Sequence, residues 1–420
     1  MTSSDVLNEI VWKGIGFVYI SVFLLLSIIY FPLFIWKKFN RNPIKSKKPK
    51  TILVIKFGHI GDTILTLPVL KALKESFSNS TIVFIVGSWA KEVMVNSPFV
   101  DKFIVSDDPF YNRRLITEPN ILKKLQMIRL QEIIKLLITI RHLHYDVVFD
   151  LNGTFNSLIY TYLSGAKHLI GYDPQGIGYL LDDKVQPTED KQDVDRCLDV
   201  IRIFGVETDI KGPFIFSSDK DKIYAKTYFQ QNNIHEDDLI VGIHPGAPFI
   251  PRRWPKERFA KIADTLVEKY DAKIIYFGGE DEVDLVTSIL HLMERPAFNL
   301  VGKTTIRESI ALIERCTFFI CNDSSLMHIA ALLNIPVIAL FGPGQYPLFA
   351  PYTEFSVVIR EDVGCNPCNE SSAVWRKICK RGRAYCMEAI TIQKVLQIIN
   401  QQIIKINENP FNEKQYNKYG

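Results

Sequence analysis

A chain of 420 residues with 47% hydrophobic and 12% aromatic content can bury sizeable cores, which excludes an intrinsically disordered protein, and its length suits two globular domains. The formal net charge of +4 is unevenly placed: residues 1–50 hold eight Lys/Arg against two acids, so the rest of the chain is slightly acidic. A body so close to neutral argues against a nucleic-acid binder.

The first element is apolar. Residues 14–36, GIGFVYISVFLLLSIIYFPLFIW, run without a charge, long enough as a helix to cross a hydrocarbon core of about 30 Å. The leader before it carries Asp5, Glu9 and only Lys13, unlike the basic leader and shorter apolar core of a cleaved signal peptide. The segment is therefore predicted to stay as a transmembrane helix. Lys37, Lys38, Arg41, Lys45, Lys47, Lys48 and Lys50 follow it, and positive charge is retained on the cytoplasmic side. Residues 1–50 read as an anchor with a basic juxtamembrane segment, placing the protein at the inner (cytoplasmic) membrane, single-pass, with its body in the cytosol.

From residue 51 the text changes to short apolar runs closed by turn residues. TILVIK (51–56) ends at a glycine turn and leads into helical spacing through Leu67, Leu70 and Leu73. STIVFIVG (80–87), YDVVFDLNG (145–153) and KHLIGYD (167–173) repeat the pattern. Polar text follows around 205–238, suited to a linker or a surface helix. The grammar then restarts with LIVGIHPGA (239–247), AKIIYFGGE (272–280), TFFICNDSS (317–325) and IPVIALFGPG (335–344). Strands alternating with helices predict two α/β, doubly wound, Rossmann-like domains, with ligands in the crevice outside the carboxyl ends of the strands. The amphipathic stretch 387–406 is expected to pack back across the domain junction.

The strand-end loops carry the chemistry. Asp62 stands in the turn after the first strand, where it serves either as a helix cap or as a base. In the second half, His244, Pro245 and Gly246 precede Arg252 and Arg253; a glycine turn lets backbone amides approach an anion, and arginine adds a fork of donors for phosphate. Asp323, Ser324 or Ser325 can cap a helix whose positive end points into the crevice, and His328 lies one turn beyond Ser324. Glu280 can accept hydrogen bonds from ribose or sugar hydroxyls. Each loop alone also fits an ordinary surface turn, but four of them in one half suit the same ligand. No Gly-x-Gly-x-x-Gly follows the first strand, which argues against a nicotinamide-dependent enzyme.

Taken in order, GHIGDTILTLP (58–68), DLNG with SGAKHLIGYD (150–153, 164–173), HPGAPFIPRRWPKERFAKIA (244–263), FGGEDE (277–282), NDSSLMHIAAL (322–332) and IALFGPGQYPLFAPY resemble glycosyltransferase family 9, the ADP-heptose:lipopolysaccharide heptosyltransferases and their relatives. The resemblance implies a GT-B fold with an acceptor-binding domain over 51–215, a nucleotide-sugar domain over 238–386 and a closing helix over 387–408. It also implies inverting, metal-independent transfer from a nucleotide-diphospho-sugar such as ADP-heptose to a lipid-linked or saccharide acceptor, with no cofactor. Under it Asp62 is the catalytic base, and Lys56 and His59 fall on the acceptor side. His244, Gly246, Arg252, Glu280, Asp323, Ser324, Ser325 and His328 fall on the donor side, with Ser325 where a glycine is usual. A relative using another nucleotide sugar, or a catalytically silent sugar-nucleotide binder, fits the same residues.

Seven cysteines in a cytosolic body are expected to be reduced. Cys365, Cys368, Cys379 and Cys386 are spaced so that they could hold zinc, although Cys-x2-Cys occurs once, and plain thiols serve as well.

Overall fold

The computed structural model describes residues 48–106, 130–173, 178–186, 188, 190–368, 379 and 381–408. The span expected at 14–36 lies outside them, and no helix among the described residues is long and apolar enough to cross a membrane.

The first lobe runs β1 (Thr51–Ile55), α1 (Ile60–Ile64), α2 (Leu67–Ser76), β2 (Thr81–Val86), α3 (Ser88–Met94), β3 (Lys102–Val105), α4 (Leu130–His142), β4 (Val147–Asp150), α5 (Phe155–Leu163), β5 (His168–Tyr172), β6 (Asp183–Val185) and α6 (Asp193–Arg202). The second runs α7 (Asp219–Gln231), β7 (Ile240–His244), α8 (Lys256–Tyr270), β8 (Lys273–Tyr276), α9 (Val283–Leu292), β9 (Phe298–Asn299), α10 (Ile306–Ile313), β10 (Phe318–Asn322), α11 (Ser325–Leu332), β11 (Val337–Phe341), β12 (Ser356–Arg360), α12 (Tyr385–Glu388) and α13 (Ile392–Glu408).

Each lobe holds one six-stranded sheet, ordered β3-β2-β1-β4-β5-β6 and β12-β11-β10-β7-β8-β9, and the paired strands are parallel. Parallel strands covered on both faces must be apolar throughout. β1 and β10 accordingly read TILVI and FFICN and are almost wholly buried. The two orders are the same doubly wound order, reversing direction between β1 and β4 and between β7 and β10. Ligands sit at such reversals, beyond the carboxyl ends of the strands, so the turns after β1, β4, β7 and β10 are the places where chemistry is expected.

The polar text after 205 resolves into α7, opened by a capping box in which the Ser218 hydroxyl accepts from the Asp221 amide and the Asp221 carboxylate accepts from the Ser218 amide. It packs on α10 and so belongs with the second lobe. The closing helix differs from expectation. The face carrying Val395, Ile399 and Ile403 joins the apolar cluster of the second lobe and lies on α8, where Tyr270 Oη also donates to Asn400 Oδ1 at 2.6 Å. Among the described residues that face therefore covers the sheet of its own lobe. The lobes are joined by α1 against α11, within one apolar cluster that includes Ile64, Leu65, Leu326 and Ile329, and by α3 against α10.

Candidate active site

The turn after β1 is held from three sides. Asn152, beyond β4, accepts from the Phe57 amide at 2.5 Å and donates to its carbonyl at 2.8 Å. Asp150 steadies that loop by accepting from the Asn152 and Gly153 amides at 2.9 and 3.1 Å. Burial pushes the Asp150 carboxyl up to about 6 against the pull of those amides. Trp89 Nε1 donates to Gly58 O at 3.1 Å. A side chain at position 58 would overlap Asp62 Cβ, so only glycine lets the acid fold over the turn.

Asp62 is the third residue of α1, and its Oδ2 accepts from the His59 amide at 2.9 Å, one half of a capping box. Burial raises its pKa; Lys56 opposes that and Asp193 adds to it. Lys56 faces inward. Its ammonium lies 2.9 Å from Asp193 Oδ2, 3.2 Å from Leu151 O and 3.6 Å from Cys197 Sγ. Burial alone would depress the Lys56 pKa, but Asp193, Cys197 and Asp62 reverse it and the net direction is upward.

Across the cleft, Asn322 at the end of β10 fastens two loops: its Nδ2 donates to Pro245 O at 2.7 Å and its Oδ1 accepts from the Trp254 amide at 3.2 Å. His244, the last residue of β7, lies between Ser324 Oγ at 2.9 Å and Glu282 Oε2 at 2.9 Å. Glu282 is buried, which would raise its carboxyl, yet His244 and the Gly279 amide hold it below the usual range. A Cβ at position 246 would overlap Glu282 Oε1, so Gly246 is what lets the β7 turn approach that acid.

Ser324 is the N-cap of α11, but its hydroxyl is directed to His244 and caps none of the helix amides. The first N–H groups of the helix, with the positive end of its dipole, therefore lack a side-chain cap. Arg252, in the 3-10 turn before α8, stacks over Phe249 and pairs with Asp323 at 2.8 Å, whereas Arg253 turns back to donate to Ala247 O. The Asp323 pKa is raised by burial and by Asp62 and lowered by Arg252. His328 is 4% exposed and pushed down to about 4 by burial, so the ring is neutral at pH 7; its Nδ1 has no hydrogen-bond partner among the described residues.

The two sides meet. A Cβ at Gly61, beside Asp62, would lie 3.3 Å from His328 Cδ2, and the Asp193 amide donates to Leu348 O in the second lobe at 2.9 Å.

A family model described as glycosyltransferase family 9 (heptosyltransferase) matches residues 133–378, more than half of the chain. The chain belongs to glycosyltransferase family 9. A lipooligosaccharide heptosyltransferase 2 from Haemophilus ducreyi is 26% identical over 367 residues, covering 83% of this chain and 98% of that one. Among solved structures, a family 9 glycosyltransferase from Veillonella parvula superposes with a TM-score of 0.70 at 22% identity, over 85% of this chain and 98% of its own. The E. coli ADP-heptose lps heptosyltransferase II gives 0.63 at 22%, over 85% and 99%. The two parallel sheets thus fit a GT-B-type glycosyltransferase.

In this family 9 enzyme the cleft gathers Asp62, His244, Gly246, Arg252, Asp323, Ser324 and His328. Ser325 opens α11 without a positive φ, so its Cβ strains nothing in the backbone. Three residues sit differently. Lys56 is occupied by Asp193 inside the first lobe, His59 is exposed on the turn, and Glu280 is exposed at the head of a 3-10 turn. The acid that enters the site is Glu282, two residues on, which the sequence reading passed over together with Asn322, Asn152 and Asp193. Asn322 had a visible signal, since a polar residue ending a buried strand needs partners. The seven cysteines are free thiols, and among the described residues no group of three His, Cys, Asp or Glu side chains could hold a metal ion.

Proposed function

We propose that this enzyme is an inverting, metal-independent heptosyltransferase that moves heptose from ADP-heptose onto a lipopolysaccharide-core saccharide, with the first lobe binding the acceptor and the second the nucleotide sugar. One observation carries the reading: α1, which bears Asp62 on the first lobe's reversal turn, packs against α11, whose start lies beside the Arg252–Asp323 pair. An acceptor hydroxyl placed at Asp62 loses its proton to the carboxylate as its oxygen attacks the anomeric carbon, and the bond to the diphosphate breaks on the opposite face. A single displacement with one base inverts the centre. Charge growing on the departing diphosphate meets Arg252 and the α11 amides, which are already oriented for it.

The names of the relatives support heptose and ADP, and the apolar segment 14–36 supports tethering at the inner leaflet, where a lipid-linked acceptor is found. The full-length protein with ADP-heptose and a core acceptor is expected to release ADP and form a heptosylated product of inverted configuration. Transfer only from a different nucleotide sugar would overturn the donor assignment. Thermal stabilisation by ADP, compared with UDP, GDP and CMP, reads the base directly.

A further inference from the structure

Asp193 opens α6, in a stretch that belongs to none of the strand-end motifs. Its carboxylate is 15% exposed and pairs with Lys56 Nζ at 2.9 Å, while its amide donates across the cleft to Leu348 O. Lys56 is thus shared: it pairs with Asp193 and still bears on Asp62. The charged and titratable groups around Asp62 are Lys56 from the end of β1, His59 on its own turn, Asp193 and Cys197 from α6, and Asp323 from the second lobe, itself paired with Arg252; His328 packs on the neighbouring Gly61. A lysine ammonium sits on a flexible stem. Besides Asp193, the carboxylate whose charge bears on the buried Lys56 is Asp62.

We propose that Asp193 is a positioning residue for the transfer step: it holds the Lys56 ammonium back from Asp62, so that the base stays free to take the acceptor proton, and the hydrogen bond from its backbone N–H to Leu348 O sets that hold when the lobes meet. The inference rests on the reading of Asp62 as the base. A Lys56 released onto Asp62 stabilises the carboxylate, and a more stable carboxylate is a weaker base. The base works deprotonated, so activity falls as pH drops through its pKa, and a lower pKa moves that acid limb to lower pH.

Asp193→Asn in the full-length enzyme is expected to shift the acid limb of kcat/KM down by about one pH unit and to lower kcat roughly tenfold, with donor KM within about twofold. Lys56→Met combined with Asp193→Asn removes both members of the ion pair together and serves if the single variant does not fold. Its acid limb is expected at or above the wild-type pH, because the cation that would pull Asp62 down is gone. A single variant with wild-type turnover and an unmoved limb, or a double variant with a lowered limb, overturns the inference. Full turnover in Asp62→Ala would instead remove the base assignment, so the two failures are distinguishable.

Discussion

Arg252 Nη1 lies 2.8 Å from Asp323 Oδ2, and this pair ties the loop after β7 to the loop after β10 at the mouth of the cleft. The guanidinium is 24% exposed and the carboxylate 6%, so the open side of the pair is the arginine's. A diphosphate arriving there adds to its partners. Arg252→Ala is expected to cut kcat by about 10²- to 10³-fold, the loss seen when one preorganised donor to a developing anion is removed. ADP affinity should fall as well, because the same fork meets the product. Steady-state transfer and calorimetric titration with ADP check both, and a variant with unchanged kcat would place the leaving group elsewhere.

Asp62 has two candidate roles that one substitution separates. As a capping residue it needs only an acceptor for the His59 amide; as a base it needs a negative charge. Asp62→Asn keeps the oxygen and loses the charge. Turnover is expected to fall by about 10²- to 10⁴-fold, with Tm and ADP binding close to wild type. A purely capping Asp62 would give the reverse, near-normal turnover with Tm changed by whatever the weaker cap costs.

Two buried groups give stability a pH dependence of opposite sign. His328 is held neutral down to about 4, whereas the unfolded chain takes up that proton near 6.5. Between those values the unfolded state binds more protons, so the His328 contribution is lost as pH falls from about 6.5 to 4. Asp150 is raised to about 6, so in the folded state it keeps a proton that the unfolded chain gives up near 3.9. Its contribution is lost as pH rises from about 4 to 6. Each spans about 2 pH units, worth roughly 3 kcal/mol, and they largely cancel in the wild type. His328→Gln uncovers Asp150: Tm of the variant should rise on going from pH 6 to pH 4.5 relative to wild type. A variant and wild type that run parallel across that interval would show that His328 is not buried neutral.

The strands that the sequence announced, β1, β2, β4, β5, β7, β8, β10 and β11, are those with both faces covered, where burial forces an uninterrupted apolar run. β3, β6, β9 and β12 stand at or near the sheet margins, are short or half-exposed, and leave no such run. The site follows the same logic. Asp62, Arg252, Ser324 and His328 lie in turns directly after covered strands or within a turn or two of them, so their placement could be read along the chain. Asp193 reaches Lys56 over a separation of 137 residues, which only the fold can close. FGGEDE offers three acids in succession, and the winding of one 3-10 turn decides that Glu282 enters the site while Glu280 faces solvent.

That winding makes Glu282 the residue whose replacement tests the donor side most directly. Its Oε2 accepts from the Gly279 amide at 3.1 Å and sits 2.9 Å from His244 Nε2, and His244 Nδ1 in turn lies 2.9 Å from Ser324 Oγ. The chain of contacts fixes the serine at the mouth of α11, so under the proposed function an error at Glu282 is passed to the donor side without touching Asp62. Glu282→Gln keeps the shape and removes the charge facing His244. Loss of a charge-assisted hydrogen bond in a buried pair costs about 1.5–3 kcal/mol, so Tm should drop by several degrees. Donor KM is expected to rise roughly tenfold, the equivalent of about 1.4 kcal/mol of lost binding, with acceptor KM unchanged. Initial-rate measurements with each substrate varied in turn decide it. If acceptor KM rises and donor KM does not, the His244–Ser324 pair serves the acceptor, and the assignment of the second lobe to the nucleotide sugar fails with it.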